Sequence, residues 1–147
     1  QGDDYNYTMV KILADRFAEA FAEYLHKEIR TNFWGFSPNE HLTISELFKE
    51  KYRGIRPAPG YPACPDHSEK QTIFKLLDAQ KIGVHLTDTF MMYPAASVCA
   101  YVFAHPKSHY FKVFSLGSEQ IELYAKKKSI SIEKAKKYLL DTLNLSL

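Results

Sequence analysis

The chemically richest residues lie in one strip, Arg56-Pro57-Ala58-Pro59-Gly60-Tyr61-Pro62-Ala63-Cys64-Pro65, which holds four of the seven prolines. Proline fixes φ at about −65° and pushes the residue before it towards extended conformations. The strip is therefore expected to be stiff and extended. Gly60 is free there to take positive φ or to admit another group against the backbone. Arg56 supplies charge, Tyr61 a stacking face, and the backbone directional hydrogen bonds, a combination that suits a small ligand. The same composition describes a proline-rich connector crossing the surface, and the residues alone leave both readings open. Asp15, Glu19 and Glu23 stand at i, i+4 and i+8, so their carboxylates share one helix face. Such a stripe is either a solvated face balanced by Lys11, Arg16 and Lys27 or a carboxylate aimed at a cationic ligand. Cys64-x-x-His67 has metal-ligand spacing, but structural zinc takes four ligands. Cys99 is isolated, and His26, His41, His85, His105 and His109 show no second pair. No metal site is assigned, and His67 is expected to cap a helix or to anchor the strip by a hydrogen bond.

These residues sit in a chain of 147 residues, enough for one domain or a piece of one with a real core. Hydrophobic content of 46% and aromatic content of 14% argue for a globular protein. A net charge of +2 is too small to imply nucleic acid or an anionic membrane as partner. No apolar run approaches a membrane span and no signal peptide is visible. A start at Gln1 without Met leads us to expect that the natural chain begins earlier. Two cysteines in unlike contexts read as reduced thiols of a cytoplasmic protein.

The elements that must position the strip follow from periodicity. Val10, Leu13, Phe17, Phe21, Leu25 and Ile29 recur at three- and four-residue steps, which predicts a buried stripe on a helix over residues 7–31. Asn32-Phe33-Trp34-Gly35-Phe36-Ser37-Pro38 ends it, with the aromatics anchoring the turn to the core. Thr43 or Ser45 caps a short helix to about residue 51, with Glu46 at capping-box spacing from Thr43. A further helix covers residues 67–79, with Ser68 and Gln71 as capping box, Ile73, Leu76 and Leu77 as apolar face, and Gly83 as exit. From Val84 the period becomes 2, and Asp88 marks where that strand leaves the core or bulges. Residues 91–96 read as a turn, 97–104 as a second strand, 105–109 as a reversal and 110–116 as a third strand. Gly117-Ser118 opens a helix through Ile121, Tyr124 and Ala125. Ser129-Ile130-Ser131 caps a last one through Ala135, Tyr138, Leu139 and Thr142. The lysines over residues 126–137 are solvated or face an acidic partner protein. The expected class is α+β: a long N-terminal helix packed on a three-stranded antiparallel meander, with further helices at the C-terminus.

The strip resembles the signature of the activation domain of cobalamin-dependent methionine synthase. Its neighbours agree: Asp3-Asp4-Tyr5-Asn6, Leu13-Ala14-Asp15-Arg16 and Ala18-Glu19-Ala20-Phe21-Ala22-Glu23-Tyr24-Leu25; Tyr93-Pro94-Ala95-Ala96-Ser97-Val98; and His105-Pro106-Lys107-Ser108-His109-Tyr110-Phe111. The similarity covers nearly the whole chain. It implies that residues 1–147 are the C-terminal part of such a domain, whose N-terminal part, with at least one acidic ligand contact, is absent here.

The resemblance implies a domain that binds S-adenosylmethionine and docks on the cobalamin-binding module when the cofactor has been oxidised to cob(II)alamin. An electron from flavodoxin or a diflavin reductase and the sulfonium methyl group then restore methylcobalamin. It implies that Arg56 holds the methionine carboxylate, that Ala58, Gly60 and Tyr61 hold the methionine and adenine portions, and that Tyr110 and Phe111 lie near the ligand. Phe111 stacks without a hydroxyl. Glu19 matches an acidic residue near the cationic end of the ligand, and Glu50 is a second candidate. Cobalamin and zinc are expected in other modules, since this chain has neither an Asp-x-His-x-x-Gly motif nor a cysteine set. The chain alone is therefore not expected to make methionine. The alternatives are a free-standing S-adenosylmethionine-dependent methyltransferase or a sensor of that molecule. Against the first, no Gly-rich loop follows a strand at the start of a βα unit.

Overall fold

The computed structural model describes residues 3–143, with side chains for all of these but Asp141 and Thr142. The place expected for Thr142 on the last helix thus lies outside the described side chains. The class is α+β, rich in helix, with a small antiparallel sheet of two strands. The chain divides into two compact units. One comprises residues 1–56 with 92–109, the other 57–91 with 110–147.

In the first unit, helix α1 runs Asp4–Glu28 and passes into a single π-helical stretch, Ile29–Phe33. Asp3 caps it by accepting from the Asn6 N–H at 3.0 Å. The ends differ by three residues from the expected 7–31, but the burial is reversed. The stripe expected to be buried faces out: Phe17 is 73% exposed and Phe21 64%, and Val10 and Leu13 are exposed too. What α1 buries is Ala22 and His26, and Arg30 one turn beyond. These three are four residues apart, so they form one row. Glu19 and Glu23 stand three residues before Ala22 and His26, on the same side. Within this chain α1 packs through its polar face.

The connection after α1 is pinned at Arg30, whose carbonyl accepts from Ser37 at 2.8 Å. The aromatics expected to anchor this turn do not: Phe33 and Trp34 are exposed, and Trp34 rests edge-on against half-buried Phe36. Helix α2, Ile44–Phe48, carries the capping box read from the sequence. Thr43 Oγ1 accepts from Glu46 N–H, and Glu46 accepts from Thr43 N–H at 3.0 Å.

In the second unit, helix α3 covers Glu69–Leu77, followed by a 3-10 turn, Ala79–Ile82. Ser68 stands at its N-cap, but the expected box with Gln71 does not form, because the Ser68 hydroxyl is taken by Lys128. Ile73 is buried, whereas Leu76 and Leu77 are exposed. Helices α4, Ser118–Lys128, and α5, Ile132–Leu143, pack against each other over Ile121, Ala125 and Ala135, and Leu139 of α5 is buried too. This cluster uses the apolar positions that the sequence marked.

The three-stranded meander is the main correction. Strands β1, His85–Leu86, and β2, Met92–Tyr93, make a hairpin, and no longer sheet occurs among the described residues. Thr87 N–H donates to Met91 O at 2.8 Å, so Asp88 lies in the turn where the pattern broke. Residues 91–96, expected as a turn, instead supply the second strand. Residues 97–104 and 110–116 form no strand, apart from one bridge in the first unit. There Ile55 and Phe103 exchange two N–H to O bonds of 3.0 Å. The next position that would exchange such bonds is Pro57, which has no N–H to donate.

Gly54 lets this bridge close. It is buried at φ +86°, and a Cβ there would stand 2.2 Å from Phe103 O. Gly54→Ala combines a left-handed backbone with a backbone clash, and should cost about 2–4 kcal/mol. Equilibrium urea denaturation measures it, and a loss under about 0.5 kcal/mol would show that the bridge is dispensable.

Candidate functional site

In the first unit, Arg56 emerges from the Ile55 bridge and meets the carboxylate stripe of α1. Arg56 Nη2 donates to Glu23 Oε2 at 2.9 Å. Glu19, one turn earlier, is exposed, and so is Glu50, which ends the turn after α2 at φ 52°. Both could reach a ligand from solvent; the stripe residue brought to Arg56 is Glu23.

Beneath this pair lies a desolvated polar row. Arg30 is fully buried and forks onto Glu40, with Nε to Oε2 at 2.8 Å and Nη2 to Oε1 at 2.7 Å. The Tyr52 ring lies 4.3 Å from the Arg30 guanidinium carbon and edge-on to His26 at 5.0 Å. His26 is completely buried, and neither ring nitrogen has a protein hydrogen-bond partner. Burial, with Arg30 and Arg56 nearby, pushes its pKa down to about 3. The imidazole is therefore neutral, which removes a third cation from beside two guanidiniums.

In the second unit, the rest of the strip alternates. Pro57 and Pro59 are buried, Ala58 and Gly60 are half-buried, and Tyr61 is exposed. The prolines act as pegs, and the residues between them present backbone. A tight turn follows: Tyr61 N–H donates to Ala58 O at 3.2 Å, Gly60 N–H to Cys64 O at 2.8 Å, and Cys64 N–H to Tyr61 O at 2.8 Å. Gly60 adopts φ +100°, with the His67 ring where a side chain would be. The sequence suggested His67 as a helix cap or a hydrogen-bonding anchor of the strip; its ring lies against Gly60, and its Nδ1 is 2.7 Å from Lys70 Nζ. Tyr110 is half-buried and Phe111 exposed, at the start of the segment that leads to α4.

The strip's far end is fixed by Asp66, which is buried. Asp66 accepts from Ser68 N–H at 2.7 Å, from the Tyr124 hydroxyl and from Lys128 Nζ at 2.5 Å. Lys128 also meets Glu69 at 2.8 Å. Burial pushes the Asp66 carboxyl up, but Lys128, Tyr124 and Ser68 outweigh it and leave it below the usual range. Burial and donation to Asp66 push the Tyr124 hydroxyl up. The sequence offered no local signal for this join, because Asp66 and Lys128 are 62 residues apart.

Within the second unit the strip thus combines two buried prolines, a closed turn and the exposed ring of Tyr61. Among the described residues no three His, Cys, Asp or Glu side chains group as a metal site.

His26 makes stability depend on pH. Its pKa is about 6.5 in the unfolded chain and about 3 when folded. Below pH 6.5 the unfolded state binds a proton that the folded state does not, so stability falls as pH drops from about 6.5 towards 3. Replacing His26 with Leu should flatten that limb of a stability–pH profile. A variant profile as steep as the wild type's would show that His26 does not control it.

A family model, vitamin B12 dependent methionine synthase, activation domain, matches residues 1–129. Among solved structures, a crystal structure of the MetH reactivation domain bound to AdoHcy matches with a TM-score of 0.90 and 50% sequence identity. The match covers 98% of this chain and 45% of that one, so this chain spans just under half that chain's length. The chain belongs to the family of activation domains of vitamin B12-dependent methionine synthase.

Proposed function

We propose that this chain binds S-adenosylmethionine and serves the reductive reactivation of cobalamin in methionine synthase. The observation that carries the reading is the strip, with Pro57 and Pro59 buried, Ala58 and Gly60 half-buried and Tyr61 exposed, in a chain 50% identical to a domain bound to AdoHcy. AdoHcy is what remains when S-adenosylmethionine gives up its methyl group, so one site accommodates donor and product.

Arg56 takes the methionine carboxylate in a charge-assisted pairing. Glu23 holds the guanidinium in place, so the ligand meets an oriented cation. Ala58, Gly60 and Tyr61 supply backbone bonds and a stacking face, and Tyr110 and Phe111 supply apolar surface. Glu19 and Glu50 offer carboxylates to the ammonium or sulfonium. Cobalamin, held by its own module, would supply the reduced nucleophile that accepts the sulfonium methyl group. The residues of this chain bind and aim the sulfonium. The partners are the cobalamin-binding module and an electron donor, flavodoxin or a diflavin reductase, in the cytoplasm. Cobalamin and zinc are held by other modules, and this chain alone does not make methionine.

We further read residues 1–147 as the C-terminal part of one activation domain. The outward stripe of Val10, Leu13, Phe17 and Phe21 supports this. A soluble helix rarely presents two phenylalanines and a valine to water on one face when its polar side is packed. The rest of the domain is the natural cover.

Calorimetric titration with S-adenosylmethionine tests the reading, on this chain and on a longer polypeptide extended at the N-terminus. Binding by either is expected, and folded proteins that both fail to bind would overturn it. Arg56→Ala should weaken binding by roughly 1.5–3 kcal/mol, the worth of a charged hydrogen bond. Unchanged affinity in a folded variant would remove Arg56 from the site.

A further inference from the structure

Gly60 has no side chain, and another residue fills the space where one would be. A Cβ on Gly60 would stand 2.0 Å from His67 Cε1, 2.4 Å from Nδ1 and 2.5 Å from Nε2. The imidazole thus lies directly against the Gly60 α-carbon. It is not free to swing aside, because its Nδ1 lies 2.7 Å from Lys70 Nζ. Lys70 is itself 4% exposed and donates to Phe90 O at 3.1 Å. An ammonium has hydrogens to give and no lone pair. Nδ1 is therefore the acceptor, and the ring carries its proton on Nε2. On its other side Gly60 is preceded by Pro59, one of the most deeply buried side chains, and its own N–H is bound to Cys64 O.

We propose that His67, clamped by Lys70, is the positioning residue of the ligand strip: its ring presses on Gly60 and fixes the backbone that presents Ala58 and Tyr61. The role rests on the ligand reading given above, and it gives Gly60 a specific task. A larger residue at 60 would displace the ring, and a smaller one at 67 would release the glycine, the residue with most conformational freedom to regain. The charged groups facing the ring are Lys70 and Asp66. Asp66 is committed to Tyr124, Lys128 and Ser68, and Lys70 is an ammonium, so the site favours the neutral imidazole. Its pKa lies below the ordinary value, chiefly through burial and then through Lys70. Protonating Nδ1 would set N–H against N–H and break the clamp.

The test compares the wild-type chain with His67→Ala and His67→Asn by AdoHcy titration, with NMR of the Gly60 α-protons alongside. Asparagine keeps an oxygen acceptor for Lys70 but removes the ring from Gly60. A merely structural role is rescued by asparagine; a positioning role is not. We expect the Gly60 α-protons of the wild type to show an imidazole ring-current shift that titrates with His67. We expect AdoHcy affinity to fall at least tenfold in folded His67→Asn, with loss of that shift. Wild-type affinity in folded His67→Asn would overturn the positioning role and leave the ligand reading intact. A folded wild type that binds no AdoHcy would overturn the ligand reading, and the positioning role with it. If His67→Ala does not fold, His67→Asn still decides.

Discussion

An antiparallel ladder needs an N–H at alternate residues, and Pro57 has none. That missing hydrogen governs what surrounds it. It stops the pairing of Ile55 with Phe103 from continuing on the Pro57 side. Beyond the bridge Pro57 and Pro59 are buried, and the tight turn takes up Ala58 O, which accepts from Tyr61 N–H, and Gly60 N–H, which donates to Cys64 O. Stiffness here comes from ring closure and burial, so the strip needs no sheet to hold its course.

The charges beside Arg56 follow a second constraint. Arg30 and Glu40 are both removed from water, which is costly unless every contact is well made. The two-pronged geometry and the Tyr52 face meet that requirement. A neutral His26 then separates this pair from Arg56 and Glu23. The result is two ion pairs against one face of α1, Arg30 with Glu40 and Arg56 with Glu23. A guanidinium fixed by a protein carboxylate loses less freedom when it binds a second one.

Much of the helical framework was legible in the sequence, because its signals are local. Thr43 and Glu46 are three residues apart and form the box they promise, and Ile121, Ala125, Ala135 and Leu139 pack as their spacing requires. The strip could be singled out for the same reason, since proline acts on its own backbone. Strands need a partner elsewhere, and apolar extended sequence does not reveal whether one exists; residues 97–104 and 110–116 were misread on that account. The stripe on α1 was read correctly as apolar and wrongly as buried, because burial depends on what lies opposite. Glu23 belonged to a recognised stripe, but nothing in the sequence chose it over Glu19 for Arg56. The Asp66 join and the ring on Gly60 were hidden, the first by sequence distance and the second because steric contact leaves no compositional trace.

The two faces of α1 also fix its roll about its own axis. Most surface helices are oriented by hydrophobicity, a broad force that tolerates a rotation of tens of degrees. Here the inward face carries Glu23, His26 and Arg30, whose bonds are short and directional, and a small rotation would part Arg30 from Glu40 or Glu23 from Arg56. The helix is therefore keyed like a cam, with electrostatics setting the angle and the phenylalanines outside bearing none of that duty. Sequence drift on the outer face can then follow whatever packs there, while the angle at which Glu23 meets Arg56 stays the same.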